Sequence, residues 1–575
     1  MWLLIGTLML GTSGCFSKRG RDRSQAYAQA LAEQKTQTDN LRNAMRYLKQ
    51  MTPLNREQAA KEVQLELNTW LATTDRSRAE YAPSNLLREF SQSVPPEALD
   101  FVGCSNPIEL QFSLWDVDYL YQCRMARKLS DWIVGFPVRD NLMQPILEKY
   151  ATAQALSDAD RLQLMNAYKL FDWTIRNVAL EAAGAEVEQL TTDPSFPPDD
   201  NGPGYGTLPW ETLLFSGGDF IERGRVFDIL AQQQDIRTCW LAVSAEDGGS
   251  SPPGAAKLWT MAVVIADQIL LFEPKLGLPI LDPDKIELAT LTETLKNPRI
   301  LRRLDLTGQF DYALGATDVQ QLQFLIDAPP TAGSGRMKML QQSLLSDERM
   351  VLYQDFDSLA TKLTELAPGH AVSLWETPLL AQLQAATVRE RLQAPTPFSM
   401  NYHALHGLWL MGTSAANGRL KHLLGEFENT LDADGALKTY MESRVDDDTL
   451  SKLPYDPEVQ HAMGIAQVPG EPKEQHAARI AQAQYIMSLS KFAANYLLAQ
   501  LHFDRGNYQA SEDFWVKRVL GDPRAQNWWA AGRYTLARIY QETGRLDLAA
   551  QELQFEGSPQ AAGNRLRLRY LRREE

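Results

Sequence analysis

The sequence predicts a multidomain α+β protein in which mostly helical N-terminal and C-terminal regions surround a central α/β core. Three observations carry that prediction. Helix-period apolar spacing dominates residues 24–190 and 378–575, strand-like runs are confined to residues 207–376, and a Pro/Gly/Asp-rich linker, 191–206 (TTDPSFPPDDNGPGYG), marks the first change of pattern. At 575 residues the chain exceeds what one hydrophobic core organises. Its 44% hydrophobic and 22% charged content is that of a folded globular protein. Lys and Arg number 57 against 72 Asp and Glu, so the net charge of −15 argues against nucleic acid or anionic lipid as a general partner.

The first element is the apolar run Trp2–Leu10 (WLLIGTLML). It is too short to span a bilayer, which takes about 20 residues, and has the length of a signal-peptide core. Small residues then lead into a cysteine, Gly11-Thr12-Ser13-Gly14-Cys15. This pattern resembles the bacterial lipobox, although Thr12 stands where that motif has Leu and no Lys or Arg precedes the apolar run. The resemblance implies that residues 1–15 are a lipoprotein-type signal peptide and that Cys15 is lipidated. It also implies a periplasm-facing protein anchored to a membrane of the bacterial envelope, the outer membrane favoured because Phe16 follows rather than Asp. In such an oxidising space Cys104 and Cys123 are either a disulfide or two buried thiols.

The N-terminal helical region, 24–190, begins with a 4-3 apolar stripe, Tyr27, Leu31, Gln34, Thr38, Leu41, Met45 and Leu48. Asn55 with Gln58 three residues on predicts a capping-box start for the helix through Val63, Leu67, Trp70 and Leu71. Further helices are expected at 112–134, 140–152 and 157–186.

Residues 207–300 follow as a helix (RVFDILAQQQ), a strand (DIRTCWLAV), a Gly/Ser/Pro loop (EDGGSSPPGAAK) and a hairpin (LWTMAVVIADQILLFEP) ending in LGLPI. A small α/β segment, 318–376, then alternates QLQFLID, SGRMKMLQQSLL, MVLYQD, DSLATKLTEL and AVSLW as strand, helix, strand, helix, strand. The pattern leaves open whether this extends the first sheet or stands alone.

The order within 207–300 resembles the transglutaminase-like branch of the papain-type cysteine-hydrolase fold. That resemblance implies a Cys opening the helix, a His opening the next strand and an Asp after the hairpin. Here those positions fall near Phe220, Leu258 and Glu273, so the frame is expected without its triad, as a pseudoenzyme. All seven histidines lie downstream of the hairpin. Cys239, the one thiol of the segment, sits in an apolar strand and reads as a small core residue. The competing expectation is an active hydrolase or acyltransferase that uses Cys239 with His403 or His406, whose three-residue spacing shares a helix face.

The C-terminal helical region, 378–575, ends in two segments, about 493–523 and 528–557. The first carries Leu498, Ala499, Gly506, Tyr508 and Pro523; the second carries Leu536, Ala537, Tyr540, Gly544, Leu546 and Ala549. These offsets resemble tetratricopeptide (TPR) repeats, with Gly506 and Gly544 standing 38 apart rather than 34. The helices at His476–Leu489 or Ala561–Leu571 are expected as caps. The basic tail Arg565, Arg567, Arg569, Arg572 and Arg573 is expected as a solvated helix end, and Asp446-Asp447-Asp448 as a solvated helix start. Trp528-Trp529, Phe514-Trp515 and Trp259 are expected in the core.

No metal-ligand cluster, phosphate-binding loop, dinucleotide fingerprint, zinc-protease motif or serine elbow occurs, so no metal or cofactor is expected. Gly202–Gly206 is a linker loop rather than a phosphate cradle. The order of segments, with Phe171-Asp172-Trp173-Thr174, Phe272–Ile280 and Met350-Val351-Leu352-Tyr353, resembles a group of bacterial envelope proteins. The expected function is a non-catalytic, membrane-anchored scaffold that binds a protein or peptide partner. The alternatives are the Cys239 hydrolase and an envelope subunit that assembles with its own copies.

Overall fold

The computed structural model describes residues 39–74, 82–106, 110–152, 156–181, 204–244, 256–283, 287–315 and 318–572. The apolar run Trp2–Leu10, Cys15, the stripe positions Tyr27 to Thr38, most of the 191–206 linker, the tip of the Gly/Ser/Pro loop and Arg573 lie outside the described residues. The protein is mixed α+β, with many helices around one six-stranded mixed sheet.

That sheet is built from β1 (Arg237–Ser244), β2 (Ala256–Ile265), β3 (Gln268–Glu273), β4 (Leu278–Pro279), β5 (Leu322–Ile326) and β6 (Ala371–Leu374), in the spatial order β6-β5-β1-β2-β3-β4. Apolar β-formers such as Val263, Val264 and Ile265 are buried along β2, as a strand covered on both faces requires. β2 and β3 join through the two-residue turn Ala266-Asp267, with Ala266 at φ 51°. β5 pairs antiparallel with the free edge of β1, and β6 lies parallel to β5. The 318–376 segment therefore extends the first sheet, and helices Gly335–Ser343 and Phe356–Leu366 make the crossover that a parallel pair needs.

The expected strand at Met350–Asp355 does not form. Two glutamine side chains take the place of a neighbouring strand. Gln233 accepts from Val351 N–H at 2.9 Å and donates to its carbonyl at 2.8 Å, while the Gln341 side-chain oxygen accepts from Leu352 and Tyr353 N–H at 2.6 and 2.8 Å. The backbone is satisfied without a ladder.

In the N-terminal region α1 (Leu114–Gly135) and α2 (Asp158–Asn177) each start at a serine capping box, Ser113 with Asp116 and Ser157 with Asp160. α2 ends at Asn177 rather than near 186, because Ala179–Leu180 turns away to pair in parallel with Gly217–Gly218. Helix Arg56–Thr73 begins where expected but without the capping box. Asn55 turns back to accept from Thr52 N–H at 2.7 Å, and Gln58 bonds Glu62 instead. α3 (Pro209–Phe215) leads into α4 (Phe220–Gln232), which lies on the sheet so closely that a Cβ at Gly224 would run into the Trp240 indole. The rings of Phe171, Phe227 and Phe272, 5.1–5.8 Å apart, tie α2 to α4 and β3.

Downstream, α5 (Ser414–Leu423) packs against α1 and α3, and α6 (Lys473–Asp504) is one 32-residue helix. The stretch His476–Leu489 is thus the first part of α6 rather than a separate cap. Gly506, at φ 76°, turns the chain into Tyr508–Phe514, and Gly544, at φ 75°, turns α7 (Trp529–Glu542) into Leu546–Leu553. A π-turn at Trp515–Val519 and a 3₁₀ turn at Pro523–Trp528 take up the longer spacing between the two glycines. α8 (Ala561–Arg572) closes the chain, and its Gly563 lets the helix backbone meet the Leu276 carbonyl beside β4.

A chain of buried charges joins the N-terminal and C-terminal helical regions. Asp140, before helix Gln144–Thr152, accepts from Arg567 of α8 and from Gln541 at 2.9 Å, and is ion-paired with Arg538 of α7 at 3.2 Å. Arg538 continues to Asp172 of α2, Asp172 to Arg176 at 3.0 Å, and Arg176 to Asp504 of α6 at 2.8 Å. Three aspartates balance three arginines, all buried. The basic tail is therefore only partly solvated: Arg567 is 1% exposed, and Arg569 donates to the carbonyls of Arg303 and Asp305. Arg572, exposed on the last turn of α8, and Arg565, paired with Glu556 on the surface, fit the expectation of a solvated end.

Removing one partner of a buried pair leaves a bare charge, so Arg567→Met should cost about 3–5 kcal/mol in urea denaturation. Burial alone would raise the Asp504 carboxyl, yet Arg176 and the His422 side chain hold it down to about 2. Its folded-state value lies below the unfolded one, so its contribution is present at neutral pH and is lost as pH falls from about 4 through 2. Loss of tertiary circular dichroism over that window, shifted upward in Arg176→Gln, is the expected result.

Candidate functional site

The three positions that the hydrolase resemblance implies are filled by groups that cannot run its chemistry. Phe220 is the first residue of α4, whose start is capped by Asp219 and Glu222. Its ring is buried, stands edge-on to Trp240 at 6.4 Å and has the Lys275 ammonium 5.7 Å away. Leu258 is buried on β2 opposite Ala242. Glu273, buried at the end of β3, accepts from the Tyr312 hydroxyl at 2.5 Å, and that hydroxyl takes the Trp259 indole N–H at 3.0 Å. Glu273 thus anchors the segment after α4 and the hairpin rather than orienting a histidine.

Cys239 is 0% exposed, and burial pushes its thiol far above the usual range. Its strand neighbours Thr238 and Trp240 both reach α4 or its partners. Thr238 bonds Asp228, and Trp240 meets Phe220 and donates to Asp327 at 3.2 Å. Strand alternation puts Cys239 on the opposite sheet face from the start of α4. His403 is exposed on helix Pro397–Leu410, and His406 stacks on Phe215 at 4.4 Å, where burial pushes its imidazole down to about 4. The structure does not bring these histidines to Cys239.

Between α4 and the sheet lie two buried carboxyls with no signal in the sequence. Burial, and the nearness of Asp327, push Asp228 well up; burial raises Asp327 too, against the pull of Arg225 at 3.4 Å. They share one cation, and hydrogen bonds from Thr238 and Trp240 satisfy them. The pair is a packing device between α4, β1 and β5.

Cys104 and Cys123 are separate, buried, free thiols, the second of the two readings that the sequence left open. Burial pushes each up to about 12. Cys104 accepts from Arg336 at 3.5 Å, and the same guanidinium is paired with Asp116 at 2.8 Å, which holds α1 to the 330s.

The positions that carry the TPR resemblance are structural. Leu498, Ala499, Leu536, Ala537 and Ala549 are buried between helices, Tyr508 packs on Phe503 at 5.5 Å, Tyr540 carries the Arg545 guanidinium at 4.6 Å, and Pro523 opens the 3₁₀ turn. One face of α6 and α7 is already taken by α2. Gln500 donates to the Arg176 carbonyl at 2.8 Å, and the Trp173 indole donates to Asp504 at 3.0 Å.

Beyond the end of α2 that face opens into a cleft of about 670 Å³. Its walls come from three places: the end of α2 through Glu181, the Phe215–Gly217 turn with Ser216 at φ 61°, and the C-terminal helices. Tyr496, Trp528, Trp529, Tyr534 and Phe555 give it an aromatic lining, with Tyr496 and Trp528 edge-to-face at 4.6 Å. Trp528 and Trp529 are half-buried rather than sealed in the core, whereas Trp515 and Trp259 are core residues as expected. At the base lies Arg223, fully buried and lowered by burial to about 10, still protonated at neutral pH. Its donors go to the carbonyls of Ile175, Val178 and Pro274 and to the Gln560 side chain, all neutral oxygens.

The chain matches no protein-family model, no curated protein and no solved structure. The cleft and the filled positions therefore stand on their own geometry. Among the described residues no group of three or more His, Cys, Asp or Glu side chains is placed to hold a metal ion, and no helix is long and apolar enough to cross a membrane.

Thiol reactivity checks this arrangement directly. Cys104, Cys123 and Cys239 should resist an aromatic disulfide reagent in the folded protein and react in 6 M guanidinium without prior reductant, as about three thiols; one would react if Cys104 and Cys123 were bonded.

Proposed function

We propose that this chain is a non-catalytic, membrane-anchored bacterial lipoprotein that binds a protein or peptide partner. The observation that carries the proposal is the aromatic cleft between the end of α2 and the C-terminal helices. Its size is that of a ligand site, its walls are apolar and aromatic, and a few polar groups line its rim. In this reading the C-terminal helix pairs, turned by Gly506 and Gly544, are TPR-like. α2 fills part of the face that a free repeat array would offer, and the cleft is what remains for a partner. The central sheet with α4 is read as a transglutaminase-like frame reduced to a scaffold, since Phe220 and Leu258 stand where a nucleophile and a base would be needed. Lipidation at Cys15 would tether the scaffold to the envelope membrane.

A displayed random-peptide library selected on the full chain tests this. Enriched peptides should quench the fluorescence of Trp528 and Trp529. Ala531→Trp, which fills the cleft without removing a supporting side chain, should weaken binding at least tenfold, about 1.4 kcal/mol. Peptides that bind Ala531→Trp as well as the parent would sink the proposal. Hydrolysis of such peptides, lost in Cys239→Ser, would instead establish the hydrolase alternative.

A further inference from the structure

A second cleft, of about 400 Å³, lies between residues 49–52, the middle of α1 and the α5 face that begins at Ser414. Its floor is apolar: Met51, Tyr121 and Met125 are all buried beneath it. Its rim carries Lys49, Arg124 and Lys421 together with the carboxylates Asp434 and Glu442.

The charges on this rim are unevenly matched. Lys49 is paired with Glu348, and the Lys421 ammonium is held by the Asp434 carbonyl at 2.6 Å and by Thr439 at 3.3 Å. The carboxylates on the far rim are taken as well, Asp434 at 2.9 Å and Glu442 at 3.7 Å from Lys438. Arg124 is the exception. It is half-buried, and among the described residues its guanidinium makes no hydrogen bond and no ion pair. Glu348 and Glu426 act on it only at a distance. In a chain of net charge −15, an arginine held in a cleft beside carboxylates and bonded to none of them is an unused fork. A guanidinium presents paired N–H groups that match a carboxylate, and the apolar floor beside it would cover a hydrocarbon group. Ser414, exposed on the first turn of α5, adds a neutral donor where the helix dipole favours an anion, while the Asn417 amide donates to the Gly412 carbonyl at 3.1 Å.

We propose that this cleft binds a small amphipathic carboxylate, with the carboxylate on Arg124 and its apolar group on Met51, Tyr121 and Met125. A peptide C-terminus ending in an apolar residue and a fatty acid share this chemistry. The site is separate from the aromatic cleft and does not depend on it.

Calorimetric titration of the full chain with four probes tests the proposal: N-acetyl-L-leucine and its amide, and octanoate and octanol. At least one carboxylate should bind, and its neutral counterpart should bind at least tenfold more weakly. Binding of N-acetyl-leucine identifies the peptide terminus as the source, and binding of octanoate alone identifies the fatty acid. Arg124→Gln should reduce the carboxylate to the level of its neutral analogue. Ser414→Glu, an exposed change that puts a negative charge on the rim, should weaken it as well, and this variant decides the matter if Arg124→Gln does not fold. The proposal is overturned if neither carboxylate binds at about 10 mM, if the neutral probes bind equally well, or if a folded variant leaves carboxylate binding unchanged.

Discussion

Asp140 lies where the N-terminal and C-terminal helical regions meet. A carboxylate is expensive to bury alone, and here two arginines from α7 and α8, with Gln541 and Tyr168, surround it. The same alternation of charge runs on through Asp172 and Arg176 to Asp504. The N-terminal helices and the C-terminal helix pairs cannot part without exposing or orphaning several of these groups at once. Such pairs need not add stability over a well-packed apolar core, but they discriminate strongly between this docking and any other. The same device recurs elsewhere, with Asp116 on Arg336 and Asp118 between Arg56 and Arg389. α1 thus carries two aspartates, each matched to an arginine far away in sequence.

This docking shapes what the surface can do. α2 is held against the end of α6 and against α7, so this part of the C-terminal helices is an intramolecular interface. Past the end of α2, at Asn177, the face opens into the cleft lined by the half-buried Trp528 and Trp529. The aromatic cleft is therefore a consequence of where one helix stops. That stop is set by the short parallel pairing of Ala179–Leu180 with Gly217–Gly218 rather than by a helix-breaking residue.

The sheet follows a similar logic of substitution. At the start of α4 a phenylalanine packs on Trp240, and the acid at the end of β3 is spent on a tyrosine hydroxyl. Met350–Asp355 carries a strand-like sequence, yet Gln233 and Gln341 take the backbone groups of Val351 and the N–H groups of Leu352 and Tyr353. Side-chain amides can replace a ladder when only a few residues need partners, and nothing in the local pattern announces it.

What depends on local periodicity was legible in the sequence alone. The helix–strand–hairpin order of residues 220–273 and the glycine turns at 506 and 544 follow from nearest-neighbour chemistry, which the chain carries wherever it folds. The same holds for the burial of Cys239, because an apolar strand with no polar alternation has both faces covered. The pairing of β5 with β1, the separation of Cys104 from Cys123, the loss of the 350–355 strand and the two clefts were settled only by tertiary structure. The clearest case is the arginine-rich tail, which reads as a solvated helix end yet places Arg567 in the core. A charge is hydrated or buried according to what comes to meet it, and Asp140 lies more than four hundred residues away along the chain.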